Sequence, residues 1–412
     1  MREVRKQDNS CRTNSTRSRE ICLKVVASGL IAIMLLGVLP ANIALADKDE
    51  KPEHMAGRLL IKFNDDVSEE IQQSVLSRQG AEVEDEISEI NVKVLKVPEH
   101  ALRGIQKALS HVDGVEYVET DSIIEPTIIP DDTEFSKEWH LSRIQAPAAW
   151  DINKGRSDVI IAILDTGFDT THPDLAGKFV VGYNVYDGSS DVSSAPCGHG
   201  TLVAGAAAAA TNNVLGVAGL GWENKILPIK VTGPDCYTTT STLARGITYA
   251  ADHGAKVANV SFAIYGGDRT ITNAAKYMYN HGGWVVAAGG NSGQFVNSRD
   301  NRYIISVGAT DLGDSITTFS SYGRYIDFSA PGVGIYTTAL GGYYSYASGT
   351  SLASPLTTGL VALMFSQNPN ATPQQIYDAL VKSAVDLGSS GNDNYYGWGR
   401  IDAGKALQMI SP

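Results

Sequence analysis

Three polar side chains in this sequence have the types and surroundings needed for nucleophilic catalysis. Asp165 follows the apolar run VIIAIL, His199 lies in CGHGT, and Ser351 lies in GTSLASP. A serine hydroxyl becomes a nucleophile when a neighbouring base takes its proton, and a carboxylate holds that base in the right tautomer. The three residues together therefore predict an Asp-His-Ser triad, in an order along the chain that such triads use.

Each of the three also has a structural explanation when it is taken alone. An Asp before Thr-Gly opens many turns, and a single His is usually a satisfied core or surface residue. Ser351 precedes a helical pattern that runs to Phe365, which fits an N-cap serine. Only their joint occurrence favours catalysis.

Asn291 is a candidate oxyanion donor, because the segment AGGNSG places an amide directly after a buried strand. Developing negative charge in acyl transfer needs fixed donors of this kind. The second donor is expected to be the backbone N–H of Ser351, at a helix N-terminus. The alternative for Asn291 is an ordinary turn residue.

The elements that must position these residues alternate between short apolar strands and helices, which predicts a parallel sheet covered on both faces. Catalytic residues of such sheets collect at the carboxyl edge. The strand segments are VIIAILD, KILPIKV, KVANVSFA, WVVAAGG and YIISVGA, and the helical ones are TLARGITYAADHG, TITNAAKYMYNHG and TPQQIYDALVKSA.

A smaller unit precedes this sheet. From Gly57 to Ile124 the pattern is strand, helix, strand, strand, helix, strand, which describes a small split βαβ sandwich. It ends in EPTIIP, where two prolines predict an exposed linker and a processing site.

The amino terminus predicts a secretory signal peptide. A basic stretch ending at Lys24 precedes an apolar run from Val25 to Leu39, and Ala44-Leu45-Ala46 offers a cleavage site. The alternative is a membrane anchor, but the run is shorter than the roughly 20 residues that cross a bilayer. Removal of this segment would leave two of the four cysteines, which an exported protein could join.

Charge argues against nucleic acid as a partner. The net charge is −12, and residues 47–130 hold 9 basic and 19 acidic side chains. Phosphate binding needs a basic face, which this composition does not offer. We expect protein and peptide substrates, the chain's own propeptide as a partner, no stable membrane anchor and a monomer.

The motifs LDTG, GHGT and GTSLASP resemble the three signatures of the subtilisin family of serine peptidases, and the chain from Asp131 onward is similar to its thermitase-like branch. Gly57 to Ile124 resembles the family's inhibitory propeptide. The resemblance implies Asp165, His199 and Ser351 as the triad and Asn291 as the oxyanion-hole residue.

The resemblance also implies the substrate and metal sites. Peptides should lie as an extra strand between two segments, Cys236-Tyr237-Thr238 and Ser261-Phe262-Ala263. Structural calcium is implied at Asp132, Asp174, Thr211, Asn213, Leu215 and Val217, for which an uncharged turn is the alternative. No catalytic cofactor is expected. The family fold would bring Cys197 and Cys236 together as a disulfide.

Two departures from the family pattern leave subsite preference open. Ala263 stands where the family often has Gly, and the primary-pocket wall at Val296-Asn297-Ser298-Arg299 lacks the usual Tyr-Pro. Leu202 and Leu356 also replace family histidines, which we interpret as packing changes.

These observations predict an α/β protein, with a three-layer parallel-sheet subtilisin-like domain preceded by a small α+β ferredoxin-like propeptide. The domains are a signal peptide at 1–46, the propeptide at 47–130 and the catalytic domain at 131–412. The predicted function is a secreted, extracellular serine endopeptidase made as a self-processing zymogen. The alternatives are an inactive protease-like binding protein, which should have lost a triad residue or Asn291, and an esterase on the same scaffold. A carboxyl-serine peptidase would have Glu in place of His199.

Overall fold

A computed structural model describes residues 54–123, 128–193, 197–265 and 267–411. The chain forms two compact units, which divide between Ile124 and Glu125. The predicted signal peptide and residues 125–127 of the predicted linker lie outside the described residues. None of the helices that the structure describes combines the length and apolar character needed to span a bilayer.

The first unit is a four-stranded antiparallel sheet in the order β2-β3-β1-β4 with two helices. Side chains alternate along β1, so that Leu59, Ile61 and Phe63 are buried against helix residues such as Leu76. The strand and helix order predicted from the sequence is confirmed. The elements are β1 His54–Phe63, α1 Glu69–Arg78, β2 Glu82–Ile87, β3 Val92–Lys96, α2 Leu102–Leu109 and β4 Val115–Ser122.

Strand β2 forms one edge of this sheet, and all six of its residues are exposed. Its sequence is EVEDEI, so four acidic side chains follow the edge.

The second unit is built on a seven-stranded sheet in the order β11-β10-β9-β8-β5-β7-β6. All its pairings are parallel, as predicted. Strands such as β9 are buried at every residue, because helices cover both faces. The strands are β5 Ile160–Asp165, β6 Tyr183–Asn184, β7 Lys225–Lys230, β8 Ala255–Val260, β9 Trp284–Ala288, β10 Ile304–Thr310 and β11 Phe328–Pro331.

Two apolar cores, one on each face, make the second unit a three-layer structure. The helices are α3 Trp139–Arg143, α4 Ala146–Ile152, α5 His199–Ala208, α6 Thr240–Asp252, α7 Arg269–Asn280, α8 Thr350–Gln367, α9 Pro373–Ser383 and α10 Ala403–Met409. The predicted three-layer fold is confirmed. The predicted patterns included five of the seven strands of this sheet and left out β6 and β11. They also left out α3, α4, α10 and the antiparallel hairpin of β12 Ile335–Ala339 and β13 Tyr343–Ala347.

Helices α5 and α8 pack so closely that a glycine is needed between them. A β-carbon on Gly359 of α8 would lie 2.7 Å from the carbonyl oxygen of Ala207 and 3.0 Å from Cβ of Leu220. The first turns of these two helices carry His199 and Ser351. Their contact therefore sets the spacing of two candidate catalytic groups.

We predict that Gly359→Ala destabilises the protein by about 1–3 kcal/mol, because overpacking forces the helices apart. It should also lower kcat. Gly177→Ala is the control, since a β-carbon there has no heavy atom within 4 Å. Thermal unfolding of both variants tests this, and a melting temperature for Gly359→Ala at or above that of the control would contradict it.

Candidate active site

Asp165 is the last residue of β5, the strand that lies between β7 and β8. Its carboxylate is fully buried, and its Oδ1 accepts hydrogen bonds from the Thr166 backbone N–H (2.7 Å) and from His199 Nδ1 (2.8 Å). Asp165 thus stabilises the turn at Thr166 and also orients the imidazole of His199. Its structural role in the turn is therefore compatible with a catalytic role.

His199 is the first residue of α5, and Gly198 caps the helix with φ of 64°. Because Nδ1 donates to Asp165, the other ring nitrogen, Nε2, is left to accept a proton. The charge of Asp165 raises the pKa of His199 above its ordinary value of 6.5, although burial acts in the opposite direction. The geometry is that of a general base held in one tautomer.

Ser351 is the second residue of α8, and the N-cap is Gly349. The N-cap explanation for Ser351 is therefore wrong. Because Pro355 has no N–H, it cannot donate to the carbonyl of Ser351 four residues earlier. Ser261 Oγ donates to that carbonyl instead (3.1 Å), and Ser351 Oγ donates to the carbonyl of Ser261 (3.2 Å).

Asp165 and Ser261, the residue that contacts Ser351, lie at neighbouring strand ends. Ser261 directly follows β8, which pairs with β5 in parallel, and Asp165 ends β5. Adjacent strands lie about 4.8 Å apart. Among the described residues, the hydroxyl of Ser351 donates to Ser261 rather than to His199.

Asn291 is oriented by Thr350, a contact that sequence reasoning missed. Asn291 Oδ1 accepts from both the N–H and the hydroxyl of Thr350 (2.9 Å each), so its NH₂ group faces away from Thr350. A β-carbon on Gly349 would lie 3.4 Å from that nitrogen. The Nδ2 donor therefore lies beside the first turn of α8, whose early N–H groups have no acceptor inside the helix.

Two hydrogen bonds from outside the loop hold the segment that carries Asn291 in place. Tyr325 donates to the carbonyl of Gly289 (2.6 Å), and Ser321 Oγ accepts from the N–H of Ser292 (3.0 Å). Ser321 is 29 positions from Ser292 along the chain, so no local pattern in the sequence indicates this support.

The two predicted substrate segments follow, along the chain, the strands on either side of β5. Ser261–Ala263 come directly after β8. A turn that includes Pro234 separates Cys236–Thr238 from the end of β7, and Cys236 has a left-handed φ of 66°. Tyr237 is 79% exposed, and Ser261 is buried.

Cys197 and Cys236 lie close together, with Cα atoms 6.3 Å apart, which is within the range that a disulfide can bridge. Cys197 lies two residues before His199, and Cys236 lies in a predicted substrate segment. A bond between them would link these two segments.

The predicted calcium residues come together in the structure. Asp174 accepts from Asn213 Nδ2 (3.0 Å) and from the N–H of Val217 (2.9 Å), and Asp132 accepts from the N–H of Asn212 (2.7 Å). The structure differs from the expectation at Asn213, whose side-chain oxygen accepts from the N–H of Leu215. Within the described ranges, no cluster of three or more His, Cys, Asp or Glu side chains has metal-binding geometry.

Comparison with known families shows which family this chain belongs to. Residues 156–399 match the model of the Subtilase family. The chain belongs to the subtilase family. Residues 40–121 match the fervidolysin N-terminal prodomain, so this subtilase has a prodomain, as predicted.

Two relatives and a solved structure, which cover 68–87% of this chain, agree with this subtilase assignment. A thermophilic serine proteinase from Bacillus sp. (strain AK1) is 37% identical over 363 residues, 87% of this chain and 89% of that protein. Thermitase from Thermoactinomyces vulgaris is 41% identical over 282 residues, 68% and 99% of the two chains. A solved protease from Pseudoalteromonas arctica has a TM-score of 0.61 and 29% identity, covering 68% of this chain and 99% of that one. The chain is a subtilase-type serine protease with a prodomain.

We predict that kcat/KM falls as the pH drops through a midpoint above 6.5. The charge of Asp165 raises the pKa of His199, and only neutral His199 accepts a proton. The measurement is a pH–rate profile with an uncharged peptide ester or amide. His253→Gln, which changes an exposed histidine, should keep the midpoint. A midpoint below 6.5 would argue against His199 as the base.

Proposed function

We propose that the second unit is a secreted endopeptidase in which Asp165, His199 and Ser351 form the catalytic triad. The observation that carries the proposal is the hydrogen bond from His199 to the buried carboxylate of Asp165, the last residue of β5. Ser351 is hydrogen-bonded to Ser261, which follows the neighbouring strand β8. Export is supported by the basic and apolar amino-terminal pattern.

The proposed reaction begins when His199 Nε2 takes the proton of Ser351 and Oγ attacks the peptide carbonyl. For this, the hydroxyl must rotate away from the carbonyl of Ser261. The oxyanion accepts hydrogen bonds from Asn291 Nδ2 and the N–H of Ser351. His199 then protonates the leaving amine, and water hydrolyses the acyl-enzyme by the same steps.

Peptide substrates suit the cleft better than small esters do. An extended peptide that lies between Cys236–Thr238 and Ser261–Ala263 would pair its backbone groups on both sides, which a small ester cannot do. An inactive binding protein is not favoured, because all three triad residues and Asn291 are present.

We predict that Ser351→Ala leaves the precursor uncut and lowers casein hydrolysis by about 10⁶-fold, the size of loss found for triad serines. His199→Ala should be similarly damaging, since triad residues act as a unit. Mass spectrometry of purified precursor, with Ser345→Ala as the control, measures the processing. Normally trimmed Ser351→Ala protein would contradict self-processing.

We also propose structural calcium at the loop from Thr211 to Val217. Asp132, Glu138 and Asp174 are buried close to this loop, and Asp132 Oδ1 has no hydrogen-bond partner. Burial raises the pKa of Asp132 and raises that of Glu138 well above its usual range. Burial also lowers the pKa of His140 to about 3, so this neighbour of Glu138 brings no positive charge. Buried acids without a cation fit a divalent ion.

The ligands would be the carboxylates of Asp132 and Asp174 and the carbonyls of Thr211, Leu215 and Val217. Asn213 would join them by exchanging the positions of its amide oxygen and nitrogen. The ion would stabilise the folded loop and take no part in the reaction.

We predict that chelation shortens the half-life of thermal inactivation, because an ion bound only to folded protein adds about 2.7 kcal/mol at a hundredfold excess over Kd. Asp174→Asn should lower calcium binding in equilibrium dialysis, whereas Asp378→Asn, on the surface of α9, should not. Equal binding by both variants would remove the site.

We propose that the Cys197–Cys236 bond forms in the exported enzyme. The two cysteines are 39 positions apart. Closing a loop of about this length stabilises the fold by about 3 to 4 kcal/mol in the chain-entropy model.

Native mass spectrometry without reductant should therefore give a mass two hydrogens lighter than the dithiol, and reduction should speed heat inactivation. The doubly substituted variant Cys197→Ser, Cys236→Ser should be insensitive to reductant. Two alkylatable thiols in freshly secreted enzyme would refute the bond.

A further inference from the structure

The side chain of the substrate residue before the cleaved bond can enter the enzyme at only one position in this site. The acyl carbonyl must lie between Ser351 Oγ and Asn291, while the substrate backbone pairs with Ser261–Ala263. The loops after the adjacent parallel strands β8 and β9 carry Ala263 and Gly290. That side chain therefore enters between Ala263 and Gly290.

This gap is already occupied by a side chain of the enzyme. A β-carbon built on Gly290 would lie 2.9 Å from the hydroxyl of Tyr265, 3.0 Å from Ser321 Oγ and 3.4 Å from Cβ of Ala263. The end of the Tyr265 ring thus reaches the glycine that precedes Asn291, and the methyl group of Ala263 narrows the same space.

Tyr265 is held in this position by a buried neighbour. Its ring packs edge-to-face on Tyr325, with centroids 5.6 Å apart. Tyr325 is 2% exposed, and its hydroxyl is bonded to the carbonyl of Gly289. Displacing Tyr265 would therefore cost an aromatic contact, worth about 0.5–1.5 kcal/mol beyond the buried area.

We propose that Tyr265 closes the primary specificity pocket, so that the enzyme cleaves after small residues such as alanine and disfavours phenylalanine. This inference rests on the proposed function and adds its substrate class. Tyr265 is a specificity-determining residue in this account, because it shapes the pocket without taking part in proton transfer.

Space for a larger side chain exists on the other side of Tyr265. A cavity of about 540 Å³ is lined by Tyr265, Arg269 and the segment from Val296 to Arg299. Replacing the tyrosine ring with a methyl group would join this cavity to the gap beside Gly290. The variant should then accept an aromatic residue.

The first test uses the wild-type enzyme and peptide p-nitroanilides that differ only in alanine, leucine or phenylalanine before the cleaved bond. We expect kcat/KM for alanine to exceed that for phenylalanine by at least about tenfold, the discrimination that a size-limited apolar pocket provides. Equal or faster cleavage after phenylalanine would overturn the inference while leaving the protease function intact. Failure to cleave any peptide or casein would overturn the proposed function and this inference with it.

The second test asks whether Tyr265 causes the preference. Tyr265→Ala should raise the phenylalanine-to-alanine ratio of kcat/KM by at least about tenfold. Tyr265→Phe, which keeps the ring, should change it much less, and Tyr277→Ala, an exposed tyrosine on α7, should not change it. A folded Tyr265→Ala enzyme with the wild-type ratio would refute the assignment. If Tyr265→Ala does not fold, the residues found before cleaved bonds in a wild-type casein digest still decide the pocket size.

Discussion

The active site depends on the alignment of three neighbouring strand ends. Asp165, the last residue of β5, pairs with Lys230, the last residue of β7, and Leu164 pairs with Val260, the last residue of β8. This alignment places a buried carboxylate beside the segments that follow β7 and β8. Because the sheet is parallel, the helices that follow begin at the same edge, with their N–H groups directed at the site.

A missing hydrogen bond in α8 has a comparable effect on the nucleophile. Pro355 leaves the carbonyl of Ser351 without its helical partner, and Ser261 from a different part of the chain takes that place. The helix lacks one backbone hydrogen bond, and the hydrogen bonds between Ser261 and Ser351 connect the proposed nucleophile to the proposed substrate-binding segment. Any displacement of Ser261–Ala263 would therefore also displace Ser351.

Much of this architecture was predictable from local patterns. The buried strands are continuous apolar runs, and α9 begins with a capping box at Thr372 and Gln375 that the sequence displays. Motifs next to strand ends and helix starts led to the prediction of Asp165, His199, Ser351 and Asn291 as site residues. The hairpin of β12 and β13 was missed, although its turn contains Gly341 and Gly342, both with positive φ.

Contacts between distant parts of the chain were beyond sequence reasoning. Thr350 and Asn291 are 59 positions apart, and Ser261 and Ser351 are 90 apart. A sequence pattern does not show which side-chain rotamer fills a gap between loops. The position of the Tyr265 hydroxyl beside Gly290 could therefore not be predicted from the sequence. The sequence left subsite preference open at Ala263, which lies in the same region as Tyr265, but it did not single out Tyr265.

The acidic edge of the prodomain has a consequence for the precursor during its production. An edge strand with unpaired backbone groups is a template on which a second chain can add. Strand β2 presents Glu82, Glu84, Asp85 and Glu86 along this edge. Glu84 and Glu86 are paired with Arg58 and Lys93, so repulsion between two copies at this edge would come mainly from Glu82 and Asp85. Addition of a second copy along β2 is therefore disfavoured.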